Sequence, residues 1–196
     1  AHWFGDRQTG PSLLRYGTEQ QRQRFLPAIA RGEYYFALGM SEPNAGSDLA
    51  AVKTRAERVP NGWRVTGQKV WTSWAHKAHA FFVLCRTSPD SGNRHEGLSQ
   101  FIVELDAPGV TVRPIRFMNG QHHFNEVFLD NVFVPDEMVV GEVGQGWKQV
   151  TSELALERSG PERYMTTFPL YTELMRRLGA TPDARAAEAV GKLAAR

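Results

Sequence analysis

The stretch Val52-Lys53-Thr54-Arg55-Ala56-Glu57-Arg58-Val59-Pro60-Asn61-Gly62-Trp63-Arg64-Val65-Thr66-Gly67-Gln68-Lys69-Val70-Trp71-Thr72 decides the fold. It holds two runs rich in β-branched and aromatic residues, Val52 to Val59 and Trp63 to Thr72, divided by the turn residues Pro60-Asn61-Gly62. The same alternation of run and turn continues outward. Phe36 to Met40 lies upstream; Ala80 to Thr87, Leu98 to Leu105, Val110 to Arg116 and Glu126 to Val134 lie downstream. Between and after them come Pro89-Asp90-Ser91-Gly92-Asn93, Ala107-Pro108-Gly109 and Pro135-Asp136. Such strands, with no helical segments between them, predict an antiparallel barrel or sandwich and argue against alternating βαβ units.

Helical patterns flank this all-β middle. Thr18-Glu19-Gln20-Gln21 fits a capping box, Phe25, Leu26 and Ile29 recur at helical spacing, and Gly32 supplies a stop. After Gly144-Gln145-Gly146 the helical period returns with Trp147, Val150 and Leu154; further helices are predicted from Leu170 to Leu178 and Ala184 to Ala195. The fold class is therefore α+β, with residues 1–33 the end of one helical domain, 34–140 a β domain and 141–196 the start of a second helical domain.

Composition narrows the function. Of 196 residues 41% are hydrophobic, and 23 Lys and Arg against 21 Asp and Glu leave a formal charge of only +2, no electrostatic footprint for nucleic acid. No apolar run approaches the ~18 residues of a membrane span, and the N-terminus lacks the pattern of a signal peptide. The lone Cys85, in the apolar run Phe81-Phe82-Val83-Leu84, reads as a buried, inert thiol of a reducing compartment, and the expected location is the cytoplasm. The chain begins without Met and reads as a fragment of a longer product.

Two clusters can carry chemistry. In Met40-Ser41-Glu42-Pro43-Asn44-Ala45-Gly46-Ser47-Asp48, Pro43 fixes a turn, Gly46 permits close approach, and Ser41, Ser47 and loop N–H groups can donate to carbonyl or phosphate oxygens. The same composition also suits an ordinary surface turn. In Gly67-Gln68-Lys69-Val70-Trp71-Thr72-Ser73-Trp74, indoles beside hydroxyls suit a flat heteroaromatic ligand, and equally suit a core or an interface. On the helix after the β region, Glu157 follows Leu154 by three residues and Val150 by seven, which sets a carboxylate on the apolar face as a general base or as one half of an ion pair with Arg158 or another Arg. His76, His79 and His122-His123 lack the Cys or carboxylate partners of a metal site, so no metal is expected. Gly141-Glu142-Val143-Gly144-Gln145-Gly146 reverses the spacing of a dinucleotide fingerprint and reads as a turn that opens a helix, and Arg176-Arg177 as a solvated helix face.

In order and spacing these segments resemble the acyl-CoA dehydrogenase family of flavoenzymes over nearly the whole chain. The resemblance runs through Tyr16 to Gln21 and Phe25-Leu26-Pro27, Ser41 to Asp48, Gly67 to Ser73, Pro108-Gly109-Val110, Asn125 to Phe128, Val134-Pro135, Gly141 to Trp147 and Leu156-Glu157-Arg158. It implies a central antiparallel β-barrel between partial helical domains, with FAD where barrel and helices meet. It implies that Leu38, Met40 and Ser41 run along the flavin, that Trp71, Thr72 and Ser73 wall it near N5, and that Ser47 touches both cofactor and acyl-CoA. Glu157 matches the base position of the isovaleryl- and long-chain-type members, and Arg158 is kept as a substrate-side residue. The implied reaction is α,β-dehydrogenation of an acyl-CoA in lipid metabolism and fatty acid β-oxidation. The α-proton goes to Glu157, the β-hydride to FAD N5, and the electrons to an electron-transfer flavoprotein, within a homo- or hetero-oligomer. An acyl-CoA oxidase and a non-catalytic flavin-binding or structural subunit are the alternatives. Two positions depart from the family pattern: Trp74 replaces a small polar residue, and Leu154-Ala155 replaces Leu-Asp.

Overall fold

The computed structural model describes residues 2–89, 92–160 and 165–195. At the N-terminus α1 (His2–Phe4) passes through a π-helical stretch, Gly5–Thr9, into α2 (Gly10–Tyr16), and α3 (Glu19–Ala30) follows. The capping box is present. The Gln21 N–H donates to the Thr18 hydroxyl at 3.2 Å, and the Thr18 N–H donates to Gln21 Oε1 at 3.1 Å, satisfying two orphan donors reciprocally. Gln21 Nε2 also donates to the Glu137 and Val139 carbonyls at 2.7 Å each, so the residue that starts α3 fastens it to the β region.

Eight strands follow: β1 (Phe36–Gly39), β2 (Arg55–Val59), β3 (Gly62–Ser73), β4 (Ala80–Arg86), β5 (Leu98–Glu104), β6 (Val110–Ile115), β7 (Phe124–Pro135) and β8 (Val139–Val140). They form one sheet in the order β6-β7-β3-β2-β4-β5-β8, with β1 added against β4. The closed antiparallel barrel expected from the sequence is corrected here: the sheet is open, with β6 and β8 at its ends, and β1 and β2 both run parallel to β4. Runs and turns count strands, but closure depends on stagger between strands far apart in the chain, which no local pattern encodes. The sheet nevertheless curls over a core. Trp63 on β3 meets Phe101 on β5 edge to face at 5.4 Å, although those strands are not neighbours.

β4 is buried from Ala80 to Cys85 because both its faces are covered. On one face Phe81, Val83 and Cys85 join the main core with Phe101. On the other face Phe82 meets Phe36 edge to face at 5.6 Å, Phe36 meets Phe25 of α3, and Leu84 clusters with Leu98, Val52 and Val150 of the helix that follows the sheet. That helix is α4 (Gly146–Arg158), and α5 (Phe168–Leu178) and α6 (Ala184–Ala194) come after it. By contact the chain divides into two compact units, 1–157 and 158–196, so the N-terminal helices and nearly all of α4 share a unit with the sheet. In the second unit Asp183 caps α6, accepting the Ala186 N–H at 2.8 Å. Asp90 and Ser91, part of the turn expected before β5, lie outside the described residues. Among the described residues no helix is long and apolar enough to cross a membrane.

β3 is twelve residues long and changes register against β7 twice, between Val65 and Gly67 and between Lys69 and Thr72. The first shift brings Gly67 against Thr54, where a Cβ would meet Thr54 Oγ1 and lie 2.7 Å from Thr54 Cα. Gly67→Ala is therefore expected to cost about 1–3 kcal/mol through overpacking. The check is a lower urea midpoint at unchanged slope.

Candidate functional site

The second register shift builds the site. It leaves Trp71 with φ +61°, a conformation rare for a bulky side chain, and its indole 57% exposed beside Phe124, edge-on at 5.8 Å. Trp74, three residues on, is also left-handed at φ +59°, and its N–H donates to the His123 carbonyl at 2.7 Å. Such strain persists only where the surroundings over-determine it.

The end of β3 is tied to the segment after β1. The Val70 N–H donates to the Ser41 carbonyl at 2.9 Å, while Lys69 Nζ donates to the Met40 carbonyl at 3.1 Å and to Glu42 Oε1 at 2.9 Å. Lys69 has no exposed side-chain surface, so its ammonium needs these oxygens. The Glu42 carboxylate also accepts the Lys53 and Thr54 N–H groups, at 2.7 and 2.9 Å. Burial alone would raise the Glu42 pKa; the Lys69 charge and these hydrogen bonds outweigh it and hold the carboxyl below its usual range. For Lys69 burial dominates and lowers the pKa, against the pull of Glu42. Cys85 is buried, and burial pushes its thiol up to about 12, against a smaller lowering by Lys69.

These ties bring two floor segments together under a pocket of about 280 Å³. Leu38, Met40 and Ser41 supply one side of the floor; Val70, Trp71 and Ser73 supply the other. Phe4 and Gln8, one turn apart at the N-terminus, form a wall, and Leu154 and Glu157 of α4 form another. Six of the residues singled out from the sequence thus line one pocket: Leu38, Met40, Ser41, Trp71, Ser73 and Glu157. Thr72 does not line it; its side chain is 1% exposed, and its carbonyl accepts from Asn125 Nδ2 at 3.0 Å. Ser47 is exposed on the loop where Asp48 pairs with Arg94, outside the lining. Arg158, the exposed last residue of α4, belongs to the second unit.

Phe4, Gln8 and Val70 went unnoticed in the sequence. Only the i, i+4 spacing of the first two could have signalled a shared helix face. The face of α4 also divides differently from the sequence reading. Glu157 is half-buried, whereas the carboxylate on the deeply buried stripe is Glu153, with no exposed surface. Glu153 Oε1 accepts from Ser12 Oγ of α2 at 2.9 Å and from Gln100 Nε2 of β5 at 3.0 Å. Burial drives its pKa up to about 7 despite both hydrogen bonds.

A second cavity, about 580 Å³, lies elsewhere and is lined by Tyr34, His76, His79, Glu104 and His122 among others. His76 Nδ1 lies 3.1 Å from Asn125 Oδ1, its ring is 4.5 Å from that of His122, and burial lowers its pKa. Among the described residues no three His, Cys, Asp or Glu side chains gather as a metal site.

Comparison with known proteins points to one group. Residues 37–132 match the family model "Acyl-CoA dehydrogenase, middle domain". The acyl-CoA dehydrogenase FadE34 of Mycobacterium tuberculosis is 53% identical over 148 residues, 76% of this chain and 21% of that protein. The acyl-CoA dehydrogenase IpdE1 of Mycolicibacterium smegmatis is 44% identical over 195 residues, 92% of this chain and 50% of that protein. Among solved structures, the Tcur3481-Tcur3483 steroid ACAD matches with a TM-score of 0.85 and 34% identity over 99% of this chain and 52% of that one. A Mycobacterium smegmatis glutaryl-CoA dehydrogenase in complex with FADH2 matches with a TM-score of 0.68 and 28% identity over 78% of this chain and 38% of that one. The chain spans half or less of the length of these curated relatives.

The Lys69–Glu42 pair offers a direct test of what holds the pocket floor. Lys69→Met leaves the Glu42 carboxylate buried without its cation and is expected to cost about 3–5 kcal/mol at neutral pH. The double variant Lys69→Met/Glu42→Gln should recover more than half of that loss. Chemical denaturation of the two variants measures both numbers.

Proposed function

The chain belongs to the acyl-CoA dehydrogenase family, and we propose that the pocket between Met40, Trp71 and Glu157 serves the FAD-dependent α,β-dehydrogenation of an acyl-CoA thioester. One observation carries the reading: the end of β1, the bulge of β3 and a carboxylate of α4, far apart in sequence, converge on one pocket.

The residues fit a flavin. A half-exposed indole held in a strained conformation offers a face for a flat ring; Leu38, Met40 and Val70 offer apolar contact, and the Ser41 and Ser73 hydroxyls offer polar contact at its edge. When bound, FAD supplies the two-electron acceptor for the hydrogen that leaves the β-carbon. Glu157 takes the α-proton from the opposite wall, where Leu154 and Phe4 keep water from the reacting carbons. Ser73 and Ser41 orient the ring, Thr72 serves through its main chain on the bulge, and Ser47 meets the thioester's CoA portion. An electron-transfer flavoprotein then receives the electrons. A homo- or hetero-oligomer is the working assembly, in keeping with the paired-chain name of the steroid ACAD to which this chain is similar.

Anaerobic addition of acyl-CoA thioesters to the FAD-loaded protein should bleach the flavin absorbance. Glu157→Gln should retain FAD and slow bleaching by at least ~100-fold, the usual size of a lost general base. Bleaching at the parental rate would remove Glu157 from its role, and a parent that binds FAD without bleaching would favour a non-catalytic subunit. Faster reoxidation by electron-transfer flavoprotein than by oxygen separates a dehydrogenase from an oxidase.

A further inference from the structure

Glu153 lies where three elements meet. Its Oε1 takes one donor from α2, Ser12, and one from β5, Gln100, while the residue itself rides on α4. Its Oε2 is buried and, among the described residues, has no hydrogen-bond partner. On β5 and α4 the other orphans are acceptors as well: Gln100, whose Nε2 is spent on Glu153, leaves its own Oε1 unpartnered, and so does Gln149, one turn earlier on α4, whose Nε2 donates to the Val140 carbonyl at 2.8 Å. Among the described residues these two elements offer Glu153 Oε2 acceptors and no donor. The charged or titratable groups on the packed elements are Asp6 and Arg7 of the π-helical stretch, Arg15 and Tyr16 of α2, Glu104 of β5, and Lys148, Glu157 and Arg158 of α4. None of them hydrogen-bonds Glu153 among the described residues, and Arg15 is engaged with Ser152 at 2.9 Å. Among the described residues a carboxylate there has neutral donors on one oxygen only and no ion pair, the arrangement in which a buried acid keeps its proton.

We propose that Glu153 is a proton-bearing latch: as the neutral acid it locks α4 to α2 and β5, and loss of the proton loosens that junction and the helix wall that carries Glu157. The latch stands independently of any role for Glu157; only its consequence for turnover rests on the proposed dehydrogenation.

The sign follows from the folded-state pKa of about 7 against an ordinary value of 4.5. A raised carboxyl pKa leaves stability intact below about pH 4.5, removes it as the pH rises toward 7, and leaves the full penalty above that. Glu153→Gln keeps a neutral side chain and removes the titration. Its Tm should match the parent near pH 4.5 and exceed it by roughly 7–14 °C at pH 8, as expected for a shift of this size in a chain of this length. Hydrogen exchange of α4 amides, corrected for intrinsic pH dependence, should speed up above pH 7 in the parent and stay level in the variant. A Tm difference independent of pH, or a variant less stable than the parent at pH 8, would overturn the latch. Should the variant fail to fold, isotope-edited infrared spectra of the parent decide: a protonated buried carboxyl at pH 6 that ionises near pH 7 supports the proposal, and full ionisation at pH 5.5 overturns it. Flavin bleaching by acyl-CoA is scored separately, so its absence counts against the proposed reaction and leaves the Tm and exchange results to judge the latch.

Discussion

An ammonium with no exposed surface has to find oxygen inside the protein, and the pocket depends on where Lys69 finds it. Its partners are the Met40 carbonyl and the Glu42 carboxylate, both in the segment that leaves β1, while Lys69 itself sits on β3. Two strands that are not paired along their length are thereby held with their ends side by side, next to the Val70–Ser41 backbone hydrogen bond. Glu42 also closes its own turn, since its N–H donates to the Ala45 carbonyl at 2.7 Å and its carboxylate takes two N–H groups from the start of the next segment. An apolar pair could fill the same volume with comparable stability. It could not fix the position of the Met40 carbonyl, and so of the floor built on Met40 and Ser41.

With the floor held, β3 can carry strain. The left-handed conformations of Trp71 and Trp74 each cost on the order of 1–3 kcal/mol. They are kept because Lys69 anchors the chain before the bulge, and Asn125 and the His123 carbonyl anchor it after. The bulge turns the Thr72 side chain into the protein and leaves the Trp71 indole at the pocket. A regular strand would put Trp71 on the face of Lys69 and Val70 on the other; the bulge lets the adjacent Val70 and Trp71 line one pocket while Lys69 and Thr72 stay buried.

Much of this was legible in the sequence because it rests on local chemistry. The Thr18 capping box, the strands on either side of Pro60-Asn61-Gly62 and the start of α4 after Gly144-Gln145-Gly146 are each set by a few adjacent residues, and the structure has them. What escaped depends on distant pairing. β8 is two residues long and exists because Val139 and Val140 meet Phe101 and Gln100, and no run of two residues signals a strand. The open sheet, with β1 parallel to β4, reflects the route of the chain and not its pattern of runs and turns. At the pocket, Met40, Ser41, Trp71 and Ser73 stood out by residue type, whereas Phe4 and Gln8 belong to it only because the N-terminal helix packs there.

α4 shows most clearly how position and not residue type assigns a role. Helical geometry gives it two adjacent stripes: Gln149 turns toward β8 and Glu153 toward β5 and α2, while Leu154 and Glu157 turn toward the pocket. A helical wheel drawn from sequence merges these into one apolar face, and the cost of burying a carboxylate was therefore assigned to Glu157. The structure places that cost on Glu153, which is buried with two neutral donors on one of its oxygens. Two identical side chains one turn apart thus meet different surroundings: Glu153 is sealed between α2 and β5, and Glu157 borders the pocket. Because both ride on one rigid helix, whatever fixes Glu153 against α2 and β5 also fixes where Glu157 enters the pocket.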